Sequence, residues 1–192
     1  MSTNKIKDFF NSISDSWDNL EDDFNIINGL LDIVGIKEGS SVLDVACGKG
    51  VITPLLYERS KKEVIAIDIS DKMIDGAIEK YKDNPNYHFI CGDFLDYNFD
   101  RLFDYVVIYN AYPHFLDEKL LKEKAYEVLN KNGKLVIMHS LGRKKLEEHH
   151  SNVMNISRII DSAPLEANKY SDCFKVIKTI DEDNRYLIVL EK

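Results

Sequence analysis

The sequence predicts an α/β fold in which a mostly parallel sheet carries helices on both faces. From about residue 41 to residue 139, short apolar segments of strand character alternate with segments of helical length, and this alternation is typical of parallel sheets. The end of the chain breaks the rhythm, because residues 174–181 and 185–190 alternate in polarity around the acidic turn 181–184. Five strands followed by this antiparallel hairpin make a seven-stranded sheet.

The spacing of apolar residues defines the individual elements. Apolar residues three or four positions apart predict helices over residues 24–34, 51–59, 71–81 and 118–129. Short runs rich in β-branched and aromatic residues predict strands over residues 41–45, 63–68, 87–91, 103–109 and 134–139. We expect Gly35 to end the first of these helices and Gly133 to form a turn. The N-cap of helix 71–81 is Ser70 or Asp71.

Composition restricts the class of protein. The chain has 192 residues, 44% of them hydrophobic and 30% charged, as in one ordinary globular domain. Its net charge of −8 disfavours binding to nucleic acid, because affinity for phosphate backbones comes mainly from Lys and Arg. The three cysteines contain no Cys-x-x-Cys pair, and the polar N-terminus has no signal peptide. We therefore expect a cytoplasmic protein with reduced thiols and no contact with a membrane.

The most informative segment is residues 42–50, with the sequence VLDVACGKG. A short apolar strand containing Asp44 runs into two glycines, and a helix is predicted to follow. Such a strand, turn and helix place backbone N–H groups at the carboxyl edge of a parallel sheet, where ligands bind in open α/β folds. The alternative is a tight turn that binds no ligand.

Acidic residues follow the next two predicted strands. Asp68 ends the second strand, about 20 residues after the glycines, where nucleotide-binding folds place the acid that binds ribose hydroxyls. Asp93 follows the third strand and precedes Phe94, so a carboxylate could bind an exocyclic amine while the ring stacks on a base. Ordinary turn residues would explain each acid alone. Acids at three successive strand ends favour a ligand site.

These residues resemble the motifs of the class I S-adenosylmethionine-dependent methyltransferases. The similarity rests on residues 42–50, on Asp68 and on residues 92–94, and it extends from about residue 15 to the C-terminus. The acid-x-Gly-x-Gly-x-Gly motif of that family is represented by residues 44–50, with Ala46 in place of the first glycine. The resemblance implies a Rossmann-like sheet and S-adenosyl-L-methionine as cofactor.

The resemblance also implies roles for the matching positions. Asp44 would lie near the methionine amino group, and Asn110, after the fourth strand, would face the methionine part. Asp68, followed by Ile69, would hold the ribose, and Asp93 with Phe94 would hold the adenine. The cofactor-binding residues implied in this way are Asp44, Ala46, Gly48, Gly50, Asp68, Ile69, Asp93, Phe94, Asn110 and Trp17.

The family relationship gives meaning to two flanking segments. Residues 6–20 have aromatic residues at helix-like spacing, and related enzymes use such a leading segment as a lid over the cofactor. Trp17 lies in an aromatic-plus-acid stretch like theirs, although it could equally pack on the sheet. Residues 141–172 contain one or two helices, and the corresponding stretch shapes the substrate pocket in the family. The expected organisation is one domain: lid 1–36, cofactor core 37–140, insert 141–172 and hairpin 173–192.

A nicotinamide dehydrogenase is the main alternative among enzymes of similar fold. Its fingerprint requires Gly-x-Gly-x-x-Gly, and counting from Gly48 and Gly50 places Thr53 where the third glycine should be. That alternative also gives no role to Asp44 or Asp93. A non-catalytic domain that binds a nucleotide or a partner is the alternative from another class.

Two clusters could contact the methyl acceptor. Tyr112 and His114 follow the fourth strand, and they could orient an acceptor or, for His114, remove its proton. His139 ends the fifth strand, with His149 and His150 further on, and these three could hold a metal or bind substrate. Their spacing matches no standard zinc motif, so no metal site is assigned.

The sequence therefore predicts methyl transfer from S-adenosyl-L-methionine to a small-molecule acceptor by in-line displacement. The candidate catalytic residues are His114, Tyr112 and His139. Expected partners are the acceptor alone, without nucleic acid or membrane, and the protein would be a monomer or homodimer.

Overall fold

The structure is a computed structural model that describes residues 3–19, 23–150 and 156–192. Within these ranges, the side chains of residues 3, 17–19, 149 and 150 lie outside the description. The helices are α1 (Thr3–Ile13), α2 (Phe24–Val34), α3 (Thr53–Ser60), α4 (Asp71–Tyr81), α5 (Glu118–Val128), α6 (Arg143–His150) and α7 (Ala163–Asn168), with 3-10 turns at Ser14–Asn19 and Tyr112–His114. No helix in these ranges has the length and apolarity required to cross a bilayer.

Seven strands form one sheet in the order β3-β2-β1-β4-β5-β7-β6. The first five strands are parallel, and β7 pairs antiparallel with both β5 and β6. The predicted Rossmann-like sheet with a terminal hairpin is therefore confirmed. The strands are β1 (Val42–Val45), β2 (Val64–Asp68), β3 (Tyr87–Cys91), β4 (Phe103–Tyr109), β5 (Leu129–His139), β6 (Lys175–Glu182) and β7 (Arg185–Glu191).

Both faces of the sheet are buried, which explains why its central strands are apolar at nearly every position. On one face, Leu43 and Val45 pack in the larger cluster with residues of α5 and α7. On the other face, Val42 packs with residues of α2 and α3. Alternate side chains of β1 thus belong to two hydrophobic cores, one on each face of the sheet.

The predicted helix ends agree closely with the structure. Asp23 caps α2 by accepting hydrogen bonds from the backbone N–H groups of Asn25 and Ile26, and Gly35 ends it in the left-handed conformation at φ 65°. Ser70, the first of the two candidate N-caps, caps α4 by accepting from Met73 N at 3.1 Å. This cap orients the chain immediately after Asp68.

The start of β5 differs from the prediction. Gly133 was expected to be a turn before a strand at 134, but β5 begins at Leu129 and contains Gly133. Long-range pairing is the reason: Leu129 lies opposite Phe103, and the backbone N–H of Lys192 donates to Gly133 O at 2.9 Å. A register shift in β4 between Phe103 and Tyr105 accommodates the irregularity.

Candidate functional site

A cavity of about 1420 Å³ opens at the carboxyl ends of the parallel strands. This is the edge where open α/β sheets bind ligands. Residues that the sequence singled out line it from four successive strand ends, and further walls come from α1 and from the chain after β4. The predicted site residues on its surface are Ala46, Gly48, Asp68, Ile69, Asp93, Phe94, Asn110 and His114.

The turn after β1 is left-handed at alternate positions. Ala46 has φ 55° and Gly48 has φ 54°, and both line the cavity. A left-handed backbone disfavours a side chain, so the Cβ of Ala46 carries strain that glycine would avoid. The turn thus brings Ala46 and Gly48 to the cavity surface, while the backbone N–H of Gly48 bonds Asp68.

Gly50 has a packing function. Its φ is 75°, and a Cβ at this position would lie 2.9 Å from the Phe89 ring and 3.0 Å from the Tyr81 ring. The hydroxyl of Tyr81 also donates to Gly50 O at 3.0 Å. The last glycine of the motif thus lets α4 and β3 pack against the turn, and it does not line the cavity.

Asp68 connects the turn to the end of β2. Its Oδ2 accepts from Gly48 N at 2.8 Å, and its Oδ1 accepts from Ser70 N at 2.8 Å. The residue is 8% exposed, and burial raises its pKa, although these backbone hydrogen bonds oppose the shift. The backbone N–H of Ile69 also lowers the pKa of Asp68. A carboxylate offers about four acceptor positions, so about one remains for a ligand in the cavity.

Asp44 is buried beneath the turn, 1% exposed, and does not line the cavity. Its Oδ2 accepts from the hydroxyl of Thr53 at 2.7 Å, which connects β1 to the first turn of α3. Burial raises the pKa of Asp44 to about 7, against the effect of the Thr53 hydrogen bond. This acid therefore joins β1 to α3 under the turn without lining the cavity.

The segment after β3 contributes an acid and an aromatic ring. Asp93 Oδ1 accepts from Leu95 N at 3.0 Å, which forms a local turn and fixes the carboxylate. Phe94 lies beside it, and its ring contacts Phe115 edge-on with a centroid distance of 6.4 Å. This aromatic contact joins the segment after β3 to the segment after β4.

Asn110 fastens the end of β4 to the end of β5. It adopts φ 53°, its Oδ1 accepts from Ser140 N at 3.1 Å, and its Nδ2 donates to Ser140 Oγ at 3.3 Å. Tyr109 shares a further hydrogen bond with the same hydroxyl at 2.9 Å. The Asn110 side chain is thereby held at the cavity wall.

His114 lies on the opposite wall, in the chain after β4. Its Nδ1 is 3.0 Å from Ile156 O. A carbonyl oxygen can only accept, so Nδ1 carries the proton, and the basic lone pair of the neutral ring is on Nε2. The Phe10 ring of α1 contacts the imidazole edge-on at 5.0 Å.

Tyr112 and His139 do not reach the cavity. Tyr112 is fully buried, donates its hydroxyl hydrogen to Glu166 at 2.7 Å, and burial raises its pKa far above the ordinary value. His139 is also fully buried, and its ring meets Tyr186 edge-on at 5.8 Å.

Three predicted residues lie outside the described side chains: Trp17, His149 and His150. The suggested convergence of His139 with the two later histidines therefore stays a prediction. Among the side chains that the structure describes, no group of three or more His, Cys, Asp or Glu residues could hold a metal ion.

Sequence reasoning did not identify how α1 is held over the cavity. Lys7 forms an ion pair with Asp71 at 3.0 Å, and Asn11 bonds both Asp71 and the Ser70 hydroxyl, at 2.9 and 2.6 Å. Isolated polar residues on a helix give no such signal. The aromatic spacing of residues 6–20 did predict an apolar face, and Ile6, Phe9, Phe10 and Ile13 line the cavity.

Comparison with known proteins finds similar methyltransferases. Residues 42–133 match the family described as methyltransferase domain. The chain is similar to malonyl-[acyl-carrier protein] O-methyltransferase 1 of Ilyobacter polytropus, with 31% identity over 103 residues, covering 53% of this chain and 38% of that protein. It is also similar to ribosomal RNA small subunit methyltransferase A of Dehalococcoides mccartyi, with 30% identity over 101 residues, 51% of this chain and 34% of that one.

The chain thus spans less than two fifths of the length of these two curated relatives. Among solved structures, it superposes on a chain from the complex of the Haloferax volcanii Trm112 methyltransferase activator with a methyltransferase. The TM-score is 0.81 at 18% identity, with 95% of this chain and 96% of that chain covered. At this identity the likeness concerns the fold.

Proposed function

We propose that the protein transfers a methyl group from S-adenosylmethionine to a small-molecule acceptor, and the match of residues 42–133 to a methyltransferase domain supports this proposal. One observation carries the proposal. Residues from Ala46 to His114, chosen from separate motifs, line one cavity at the carboxyl edge of the sheet. Bound there, S-adenosylmethionine supplies an activated methyl group on a positively charged sulfur.

The residues present fit this cofactor. Asp68 lines the cavity, and the acceptor capacity left after its backbone hydrogen bonds suits a ribose hydroxyl. Asp93 and Phe94 lie side by side on the wall, where a carboxylate and a ring would receive an amine and a base. Asn110 and the backbone of Gly48 would complete the site near the methionine part.

The cavity also has room for an acceptor. At about 1420 Å³ it exceeds the roughly 300–1,000 Å³ typical of a site for one drug-sized ligand. Phe9, Phe10, Phe115 and Leu116 form an apolar part of its wall. Such a wall beside the cofactor favours a small organic acceptor, since apolar contacts align the reactants and displace water.

His114 is the proposed general base. With Nδ1 protonated and bonded to Ile156 O, the lone pair of Nε2 can take a proton from an acceptor O–H, N–H or S–H group. The acceptor atom then forms the new bond to the methyl carbon as the carbon–sulfur bond breaks, and the electron pair remains on sulfur. Every other residue named here would bind or align the reactants.

Nucleic acid is a poorer candidate, although one relative is a ribosomal RNA methyltransferase. The net charge of −8 opposes the approach of a phosphate backbone. The dehydrogenase alternative lacks its third glycine, because Thr53 occupies that position, buried and bonded to Asp44. A non-catalytic domain would bind the cofactor without turnover.

Calorimetry tests the cofactor first. S-adenosylhomocysteine should bind in the micromolar range, about −8 kcal/mol, and NADH should not bind. Next, release of S-adenosylhomocysteine should be measured with a panel of small phenols, thiols and amines, with an acyl-carrier protein, and with an RNA fragment. Turnover on a small molecule supports the proposal. Turnover only on RNA or on carrier protein contradicts the proposed small-molecule acceptor, and tight NADH binding contradicts the proposed cofactor. Binding of S-adenosylhomocysteine without turnover on any tested acceptor favours the non-catalytic alternative.

A further inference from the structure

Glu166 of α7 has a fully buried carboxylate close to the chain after β4. It accepts hydrogen bonds from the Tyr112 hydroxyl at 2.7 Å, from Asp161 N at 2.8 Å and from Lys169 Nζ at 3.0 Å. Arg158 adds two roughly parallel bonds at 3.2 and 3.3 Å. Despite its burial, these donors lower the pKa of Glu166 to about 2, so it is ionised at every working pH.

Arg158 connects this carboxylate to the chain after β4. Its backbone N–H donates to Pro113 O at 2.9 Å, and its Nε donates to Phe115 O at 3.2 Å. The guanidinium carbon lies 4.5 Å from the centre of the Tyr112 ring. The Arg158 side chain, which is 16% exposed, therefore contacts Tyr112 and Phe115, which lie on either side of His114.

His114 is held by the same segment. Its Nδ1 donates to Ile156 O, two residues before Arg158, at 3.0 Å. Segments 112–115 and 156–158 thus lie side by side, joined by one backbone hydrogen bond and by the side chains of His114 and Arg158. This connection holds the imidazole from the side of residues 156–158, in addition to the contact that Phe10 of α1 makes with its ring.

We propose that Arg158 and Glu166 are positioning residues. Together they hold segment 156–158 against segment 112–115, an arrangement called the lock below, and so keep His114 protonated on Nδ1. The basic nitrogen is then Nε2. Free imidazole interconverts between two neutral tautomers, and only a partner on one nitrogen selects between them. The lock therefore determines which nitrogen can receive a proton.

A lysine could not replace Arg158 in this arrangement. The guanidinium offers five donors in a rigid fork, and here it uses them at once on the carboxylates of Glu166 and Glu118 and on the backbone carbonyl of Phe115. A lysine has a single ammonium group that cannot reach all three in that geometry. Arg158→Lys keeps the charge and breaks the lock, which separates positioning from electrostatics.

The chain offers a matched control in Arg59. Its side chain is 17% exposed, and like Arg158 it bonds both a carboxylate, Asp32, and backbone carbonyls, those of Asn28 and Leu55. It joins α3 to α2 on the other face of the sheet. Arg59→Lys therefore makes the same chemical change at a similar depth, away from His114.

The test is nitrogen NMR of the imidazoles in the full chain without ligand, at about pH 8, above the usual pKa of histidine. Two-bond proton–nitrogen correlations distinguish a protonated ring nitrogen from an unprotonated one, and a His114→Gln spectrum assigns the signal. We expect Nδ1–H in the wild type and in Arg59→Lys. Arg158→Lys and Glu166→Gln should show a mixture of both tautomers. An Nε2–H wild type, or an unchanged Nδ1–H in both variants, overturns the proposal.

Should Arg158→Lys or Glu166→Gln fail to fold, Tyr112→Phe provides the same answer. It keeps the ring beneath the guanidinium and removes the hydroxyl that bonds Glu166 and Tyr170, so it should shift the tautomer balance in the same direction by a smaller amount. No shift with Tyr112→Phe then counts against the lock.

The functional consequence rests on the proposed function and has a separate readout. With an acceptor that turns over, Arg158→Lys should lower kcat about 10-fold to 100-fold and leave the affinity for S-adenosylhomocysteine within twofold. The NMR result needs neither cofactor nor acceptor. A tautomer shift without any methyl transfer would therefore contradict the proposed function and leave the lock standing, whereas equal kcat values would contradict the catalytic use of the lock.

Discussion

The half of the cavity proposed to hold the cofactor and the half proposed to hold the acceptor are built in different ways. The cofactor half uses backbone groups and short side chains at successive strand ends, as in the bond between Gly48 and Asp68, 20 residues apart. The acceptor half depends on longer connections, from His114 to Ile156 and from Tyr112 to Glu166, 42 and 54 residues apart. The first half follows from local motifs, and the second requires the insert to fold back onto the chain after β4.

This difference predicts how each half responds to substitution. In the cofactor half, the sheet already fixes the backbone, so a change should affect ligand affinity or local strain. In the acceptor half, side chains hold other side chains, so a change should affect the chemical step while cofactor affinity persists. Four predictions test this division, in decreasing order of effect.

The largest effect is expected for His114→Gln. Glutamine can still donate to Ile156 O but cannot accept a proton, so kcat should fall by about 10²–10⁴. Affinity for S-adenosylhomocysteine should not change. Steady-state kinetics and calorimetry measure the two quantities, and His88→Gln, on the exposed side of β3, serves as control. A loss of cofactor affinity as large as the loss of kcat would contradict the idea that the two halves act separately.

Asp44→Asn tests the support beneath the glycine turn. The folded pKa of Asp44 is raised to about 7, so the folded chain keeps a proton that the unfolded chain releases above about pH 4. Its contribution to stability is complete below pH 4 and is lost as the pH rises through about 7. Asparagine has no charge to bury, and its carbonyl can accept from Thr53.

The unfolding free energy of Asp44→Asn relative to wild type should therefore rise by about 2–4 kcal/mol between pH 4 and pH 8. Urea denaturation across this range measures it, with Asp75→Asn on the exposed face of α4 as control. Parallel profiles for Asp44→Asn and wild type would show that the Asp44 carboxyl is not protonated at neutral pH.

Asp68→Ala should weaken the binding of S-adenosylhomocysteine by about 1.5–3 kcal/mol, or roughly 10-fold to 150-fold in Kd, because charge-assisted hydrogen bonds to the ribose are lost. The melting temperature should also fall by about 2–4 °C, since two backbone N–H groups lose their acceptor. Calorimetry and thermal denaturation measure these changes, and Asp75→Ala is the matched control. Unaltered affinity would place the ribose elsewhere.

The smallest effect is expected for Ala46→Gly. Glycine relieves the left-handed strain at φ 55°, about 1–2 kcal/mol, and its greater freedom in the unfolded chain offsets part of this gain. The net rise in stability should be about 0.5–1 kcal/mol, without loss of cofactor affinity. Ala77→Gly in α4, at an ordinary helical position, should lower stability by about as much. Destabilisation at both positions would contradict the strain at Ala46.

Most of the fold could be predicted because its elements have strong local signals. Helices α2 and α4 and strands β3 and β4 begin and end at the predicted residues, where apolar periodicity coincides with caps and turns. The error at β5 has the opposite origin. Gly133 resembles a turn locally, and only pairing with Phe103 and with the C-terminus draws residues 129–133 into the sheet.

The site shows the same limit. The chain brings Asp68, Asp93 and Asn110 to one cavity because parallel strands end at the same edge. The direction of a single side chain is a different matter. Tyr112 and His114 are two residues apart in a 3-10 turn, yet one is buried against Glu166 and the other faces the cavity.

The sequence by itself determined the order of the elements, the terminal hairpin and the strand ends that carry the cofactor residues, because these depend on spacing within short segments. Only the tertiary structure decided that Asp44 lies beneath the turn, that Gly50 serves packing, and that Arg158 and Glu166 stand behind His114. Those outcomes depend on contacts between distant segments and on burial, and neither leaves a periodic signal in the chain.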